Sequence, residues 1–195
     1  MEQNSIRIEP ADWLAELDLN KCFPRQAPLE VDVGCGKGAF LLSQAQSRPE
    51  HNFLGIDRML RRIRKVSNKA ERAGLHNLRL LRIDARYAVR HMMPAKAVTV
   101  YYVFFPDPWP KKRHHGKRFF DADFLAAIRR TLKQGGLIHA ATDHLPYFEE
   151  MEALIEKDAA FRRVETFVPA LHERTEFERY YVKHKKIGRL SFQRV

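Results

Sequence analysis

LEVDVGCGKGAFLLSQAQS, residues 29–47, passes from one kind of periodicity to another across a run of glycines. Pro28–Val33 is apolar and β-branched enough for a strand, and Gly34, Gly36 and Gly38 follow it. Phe40, Leu41, Leu42 and Ala45 then recur at helical spacing over Ala39–Ser47. The same alternation continues downstream. Strands are predicted at Phe53–Asp57, Leu78–Ile83, Ala97–Phe105 and Leu137–Thr142. Helical faces are formed by Met59, Leu60, Ile63, Val66 and Ala70, by Phe124, Leu125, Ile128 and Leu132, and by Tyr147, Phe148, Met151, Leu154 and Ile155. Gly74 suits the end of the first of these helices and Gln134-Gly135-Gly136 the end of the second, for which Asp121 or Asp123 can be the cap. Phe161–Val168 and Phe177–His184, with no helix between them, predict an antiparallel closing pair. Repeated βα units imply an α/β fold with a doubly wound, mostly parallel sheet and helices on both faces. Ligands of such sheets bind at the carboxyl ends of the strands.

The 195 residues show no repeat, linker or low-complexity tract, so one domain is expected over 29–195, after a short segment 1–28. With 35 Lys+Arg against 24 Asp+Glu, a formal charge of +11, the composition favours a polyanionic partner. Cys22 and Cys35 form neither a CxxC nor a Cys/His metal pattern, and Cys35 lies in the glycine loop, so a reducing cytoplasm and no metal are expected. The start MEQNSIRIEPADW lacks the apolar run of a signal peptide, and Ala97–Phe105 is too short to span a bilayer. A soluble protein with no membrane partner is the expectation.

The glycine loop satisfies a loose dinucleotide fingerprint, Gly34-x-Gly36-x-x-Ala39, but Asp32 lies two residues before its first glycine. An acid there opposes a pyrophosphate at the helix N-terminus. It suits a ligand with positive charge, such as the ammonium and sulfonium of S-adenosylmethionine. Asp57 ends the second strand, where a carboxylate can accept both ribose hydroxyls, and Asp84 follows the third, within reach of an adenine amino group. Each acid alone can be a turn or helix-cap residue; together they point to a nucleoside-type cofactor.

This set resembles the class I S-adenosylmethionine-dependent methyltransferases, from about Leu29 onward. The resemblance implies a Rossmann-like sheet of seven strands with the last reversed. After the fourth strand stands Phe105-Pro106-Asp107-Pro108-Trp109-Pro110-Lys111-Lys112-Arg113-His114-His115, and near the C-terminus Thr175-Glu176-Phe177-Glu178. Both strings resemble the bacterial tRNA (guanine-N7-)-methyltransferase family. That family implies methyl transfer to the variable-loop guanosine of tRNA, and it includes monomers and homodimers. The resemblance gives Asp107 the active-site role and places it beside the cofactor with Asp32, Gly34, Gly36, Gly38, Asp57 and Asp84. It assigns substrate contacts to Lys111, Asp143, Thr175 and Glu178.

Lys112, Arg113, Lys117, Arg118, His114 and His115 are candidates for tRNA phosphates, since they follow a strand end beside the methyl donor. Trp109 could stack on a base or anchor the loop in the core. The cations Arg58, Arg61, Arg62, Arg64, Lys65, Lys69 and Arg72 can add grip on tRNA or simply be solvated helix surface. Asp143 can equally cap the helix near Pro146. The family usually carries Glu at the positions of Asp32 and Asp57, and a basic arm where this chain has Glu2, Glu9, Asp12 and Glu16. Other readings are an exocyclic-amine methyltransferase, which would carry Asp-Pro-Pro-aromatic where this chain has Asp107-Pro108-Trp109, a non-catalytic tRNA-binding protein, and a dinucleotide oxidoreductase, which Asp32 and the charge disfavour.

Overall fold

A computed structural model describes residues 5–181 and 184–195, without the side chain of Lys112. In chain order the elements are β1 Arg7–Ile8, α1 Leu19–Cys22, β2 Leu29–Val33, α2 Ala39–Ser47, β3 Asn52–Ile56, α3 Leu60–Arg72, β4 Leu78–Leu81, and α4 Ala85–Tyr87, which runs into a π-helical turn at Ala88–Met92. After these come β5 Val98–Phe104, a 3-10 turn at Lys112–Lys117, α5 Ala122–Thr131, β6 Leu132–Thr142, α6 Leu145–Glu156, β7 Phe161–Arg163, α7 Glu176–Tyr181 and β8 Gly188–Arg194.

The strands form one sheet in the order β1-β4-β3-β2-β5-β6-β8-β7. All neighbouring pairs from β1 to β6 are parallel, while β8 runs antiparallel to both β6 and β7. The expected doubly wound sheet with a reversed last strand is therefore present, widened by the two-residue β1 on the β4 edge. Strand order reverses between β2 and β5, and the glycine loop and the Asp107 loop leave the sheet at that point.

Burial explains the continuous apolar strands. Every residue of β2, β3 and β4 is buried, as a parallel sheet covered on both faces requires. One layer of side chains, including Val31, Leu54, Tyr101, Phe124 and Tyr147, packs on one face. On the other, α2 and α3 bring Leu41, Ile63 and Val66 against Phe53 and Leu80. Gly55 makes this approach possible: a Cβ there would lie 2.3 Å from Leu41 Cδ2. Gly38, at φ +79°, has Val66 methyls 2.7 Å from where a Cβ would stand, so α3 presses on the start of α2.

The carboxyl-terminal region departs from expectation. Residues 176–181 are helical, not part of a strand, because Thr175 Oγ1 accepts the Glu178 N–H at 3.1 Å and starts a helical turn. Of the predicted strand's remainder, Val182 and Lys183 lie outside the described residues and His184 is in a turn. The reversed strand is Gly188–Arg194, and the other closing strand is confined to Phe161–Arg163. The helix capped by Asp121 stops at Thr131, before the glycine pair, which lies within β6.

Candidate active site

A cavity of about 470 Å³ opens at the carboxyl ends of the central strands. Gly34, Asp57, Asp84, Asp107 and Trp109 all line it, together with Arg58, Arg62 and Lys117. Four separate strand-end segments thus converge on one space.

The glycine loop is fixed by its neighbours. Gly34 and Cys35 donate backbone N–H bonds to the Ile56 carbonyl at 2.9 and 3.0 Å, and Gly34, Gly36 and Gly38 all have positive φ. Asp57 holds the loop from the next strand. Its carboxylate accepts the Gly36 N–H at 3.1 Å and the Met59 N–H at 2.7 Å, and pairs with Arg62 at 3.1 Å. The acid expected at a ribose therefore also organises backbone, and two exposed cations of the α3 region, Arg58 and Arg62, also line the cavity.

Asp32, Gly36 and Gly38 are not among the residues that line the cavity; Asp32, within β2, is only 5% exposed, and its carboxylate makes no hydrogen bond among the described residues. Burial, then the negative charges of Asp57 and Glu176, push it up from 3.8 to about 7. A buried carboxylate without a partner is what a cationic ligand would relieve. Asp84 is exposed, and one of its oxygens caps α4 by accepting the Tyr87 N–H at 3.1 Å.

The Asp107 loop is built on two unusual backbone positions. Phe105 has φ +53° and Trp109 φ +40°, values that cost non-glycine residues energy and concentrate at functional sites. The Phe105 ring sits 5.1 Å from Phe177, and its N–H donates to the Ala141 carbonyl at 2.7 Å. Between Pro106 and Pro108, Asp107 is exposed to the cavity. Half-buried Trp109 forms part of the wall, with Lys117 5.1 Å from its ring centroid and His114 edge-on.

Arg118 corrects the expectation of a phosphate ligand. It is buried, donates from Nε to the Pro108 carbonyl at 2.9 Å, pairs with Glu150 and lies over Tyr147. It is a strut for the loop. Lys111, Arg113 and Lys117 remain exposed, and Lys112's side chain lies outside the described residues.

The remaining candidates lie across α7. Asp143 pairs with Lys185 at 2.7 Å, and the cap of α6 is His144, which accepts the Tyr147 N–H at 3.2 Å, so Asp143 is not that cap. Glu178 is buried between Arg174 and Arg189, on the side of α7 away from the cavity, and Thr175 caps the helix. Sequence reasoning passed over Glu176. Its carboxylate accepts the Ala39 N–H at 3.3 Å at the start of α2 and has Lys69 4.0 Å away. Thr175-x-x-Glu178 has the form of a capping box, which would have signalled the helix that carries Glu176.

The comparisons with known proteins agree with this arrangement. A family profile, Methyltransf_4, described as "Putative methyltransferase", matches residues 26–188. The tRNA (guanine-N(7)-)-methyltransferase of Halorhodospira halophila is 40% identical over 168 residues, covering 84% of this chain and 73% of that protein. That of Nocardia farcinica is 41% identical over 138 residues, 71% of this chain, which spans about half of that protein's length (51%). Among solved structures, the 16S rRNA methyltransferase KamB superposes with a TM-score of 0.68 at 15% identity, over 92% of this chain and 94% of that one, a likeness of fold. With the profile covering most of the chain and the first relative covered over nearly three quarters of its length, the chain belongs to the tRNA (guanine-N7-)-methyltransferase family of S-adenosylmethionine-dependent enzymes.

Proposed function

We propose that this chain transfers the methyl group of S-adenosylmethionine to N7 of guanine in tRNA, at guanosine-46 of the variable loop, and that it does so in the cytoplasm. The observation that carries the reading is the meeting of Asp107 with Gly34, Asp57 and Asp84 in one cavity at the point where strand order reverses. The residues fit the cofactor on two counts. The cavity has the size of a small-molecule site, and Asp32, the residue before Val33 of its wall, is a buried carboxylate in want of a cation.

When bound, S-adenosylmethionine supplies an electrophilic methyl on a sulfonium. Guanine N7 has an in-plane lone pair and no proton, so the protein needs no strong general base. Its task is alignment, together with stabilisation of the positive charge that moves onto the purine. Asp107 accepts from guanine N1–H and the 2-amino group, and its charge about 4 Å from the ring is worth roughly 4 kcal/mol at an effective dielectric of 20. Pro106 and Pro108 limit its wandering, and Trp109 offers a face for a base. Lys111, Lys112, Arg113 and Lys117 meet tRNA phosphates, Thr175 and Asp143 border the guanine, and Glu178 braces that border from behind through Arg174 and Arg189. Asp143 becomes available once Lys185 turns to the RNA.

Purified protein incubated with unmodified tRNA and S-adenosylmethionine should yield 7-methylguanosine on nucleoside mass spectrometry. Methyladenosine or methylcytidine would favour exocyclic-amine transfer instead, and absence of product would leave a tRNA-binding role.

Cofactor affinity should depend on pH. Asp32 loses its proton near 4 in the unfolded chain and at about 7 in the folded one. Between those values the folded protein binds more protons, so the unliganded protein loses stability as pH rises from 4 to 7, by up to about 4 kcal/mol. The ionised form is the one a cation needs. S-adenosylmethionine affinity should therefore rise about eightfold from pH 6 to 7.5, as the ionised fraction grows. Asp32→Asn should flatten that rise and raise the unliganded melting temperature at pH 8. Calorimetric titrations at both pH values check this; pH-independent binding by the unsubstituted protein would refute it.

A further inference from the structure

Beyond β6 the same rim of the sheet carries a second hollow, of about 510 Å³, that methyl transfer leaves unused. Arg174, Arg179, Tyr180 and Lys185 line it, with Leu171 and Ile187 closing the sides. Arg189 lies one contact behind, paired with Glu178 in the wall. Two acids answer these four cations. Glu178 takes Arg174 at 3.2 Å and Arg189, and Asp143 takes Lys185 at 2.7 Å. The local surplus is positive. Arg179 Nε and Arg189 Nη1 are moreover buried with no hydrogen-bond partner among the described residues. Buried donors without acceptors are costly, and one on the hollow's lining, Arg179, with a second in the layer behind it indicates an acceptor that arrives from outside.

The hollow's position says which acceptor. α7 separates it from the first cavity: Glu176 reaches Ala39 and Phe177 packs on Phe105 on one side, while Glu178 and Arg179 line the hollow. A strand that delivers a base past Asp107 and continues over α7 would bring its backbone here. Tyr180 stands at the rim, 67% exposed, as a face for a base. We propose that this hollow holds a backbone phosphate of the tRNA strand flanking the target guanosine, with the adjoining base on Tyr180; the inference rests on the tRNA reading above. The guanidinium of Arg179 supplies forked donors to the phosphate oxygens, and Lys185 leaves Asp143 to join it.

The test is tRNA affinity over a salt series for the unsubstituted protein, Arg179→Gln, Lys185→Gln, Tyr180→Ala and the control Lys157→Gln, an exposed cation just after α6. Arg179→Gln and Lys185→Gln should each weaken binding about tenfold and lower the steepness of log K against log salt by about 0.7–0.9. Tyr180→Ala should weaken binding at every salt concentration without changing that slope, and Lys157→Gln should match the unsubstituted protein. Arg179→Lys, which keeps the charge but loses the fork, should restore the slope and only part of the affinity. It also replaces Arg179→Gln if that variant does not fold, as judged by retained S-adenosylmethionine binding. Unchanged affinity and slope in the Arg179 and Lys185 variants, or losses no larger than for Lys157→Gln, would overturn the inference while leaving tRNA methylation intact. Binding of inorganic phosphate that Arg179→Gln abolishes, with tRNA affinity untouched in the same variant, would mark a free-anion site and overturn it too. Failure of the unsubstituted protein to methylate tRNA would instead remove the reading on which it rests.

Discussion

Asp107→Ala should lower methyl-transfer turnover by about 10²–10³-fold while leaving tRNA affinity within a few-fold. The size follows from what the carboxylate does: a preorganised charge aimed at charge that develops in the transition state is worth that much in other enzymes. The selectivity follows from its place. Asp107 stands between two prolines, exposed to the cavity, and its carboxylate makes no hydrogen bond among the described residues, so its removal leaves no buried partner stranded. The loop's shape is held elsewhere, by Arg118 on the Pro108 carbonyl and by Phe105 against Phe177. Single-turnover rates at saturating tRNA, with binding measured separately, give the answer. Equal losses in rate and affinity would make Asp107 a docking residue, and an unchanged rate would remove it from the chemistry.

Glu30→Ala should be the most damaging substitution away from the cavity. Glu30 is buried in β2 and gathers four donors: Arg48 Nη1 at 2.6 Å, Arg48 Nη2 at 2.8 Å, His51 Nδ1 at 2.6 Å and the Tyr102 hydroxyl at 2.8 Å. Alanine would leave the guanidinium with only Gln44 Oε1 and the Tyr102 hydroxyl to accept from it, and that buried hydroxyl with no acceptor of its own, a loss of about 3–5 kcal/mol for fully buried pairs. Arg48 is partly open to water, so the lower end, about 3 kcal/mol, applies. For a chain of this length that is a melting temperature lower by about 6–12 °C. Glu30→Gln, which keeps the shape and one acceptor, should fall between. Thermal unfolding at pH 7.5 decides it, and a drop below about 3 °C for the alanine variant would show that water or neighbouring groups replace the carboxylate.

From Leu29 to Glu156 most of the fold was legible because most elements there have a single period and a clear stop; the helical stretch Ala85–Met92 and the start of β6 ahead of the glycine pair were the exceptions. The strands are buried on both faces and so apolar throughout, and the helices show one apolar face each. The last forty residues were less so. Phe177-Glu178-Arg179-Tyr180-Tyr181 alternates like a strand, yet a helix forms because Thr175 caps it and Phe177 finds Phe105. Pairings across that distance leave no periodic trace. The convergence of Asp57, Asp84 and Asp107 could be anticipated, since each follows a strand and strand ends meet at one rim. The fates of Arg118, Asp143 and Glu178 could not. A charge run looks the same whether a member faces solvent or turns inward to a carbonyl, and each partner here lies in a different segment.

The hydrogen bond from Ala39 to Glu176 joins residues 137 positions apart. Protein synthesis runs from the N-terminus, so β2, the glycine loop and α2 leave the ribosome long before their distant partner exists. A nascent chain can begin to assemble the central strands early, but the support that α7 gives the start of α2 must wait until residue 176 and its helix have emerged. Catalytic competence in this protein is therefore a late event of its biogenesis: a chain cut short before residue 176 would lack both the Glu176 contact and β8, whose Leu190 and Phe192 complete the core.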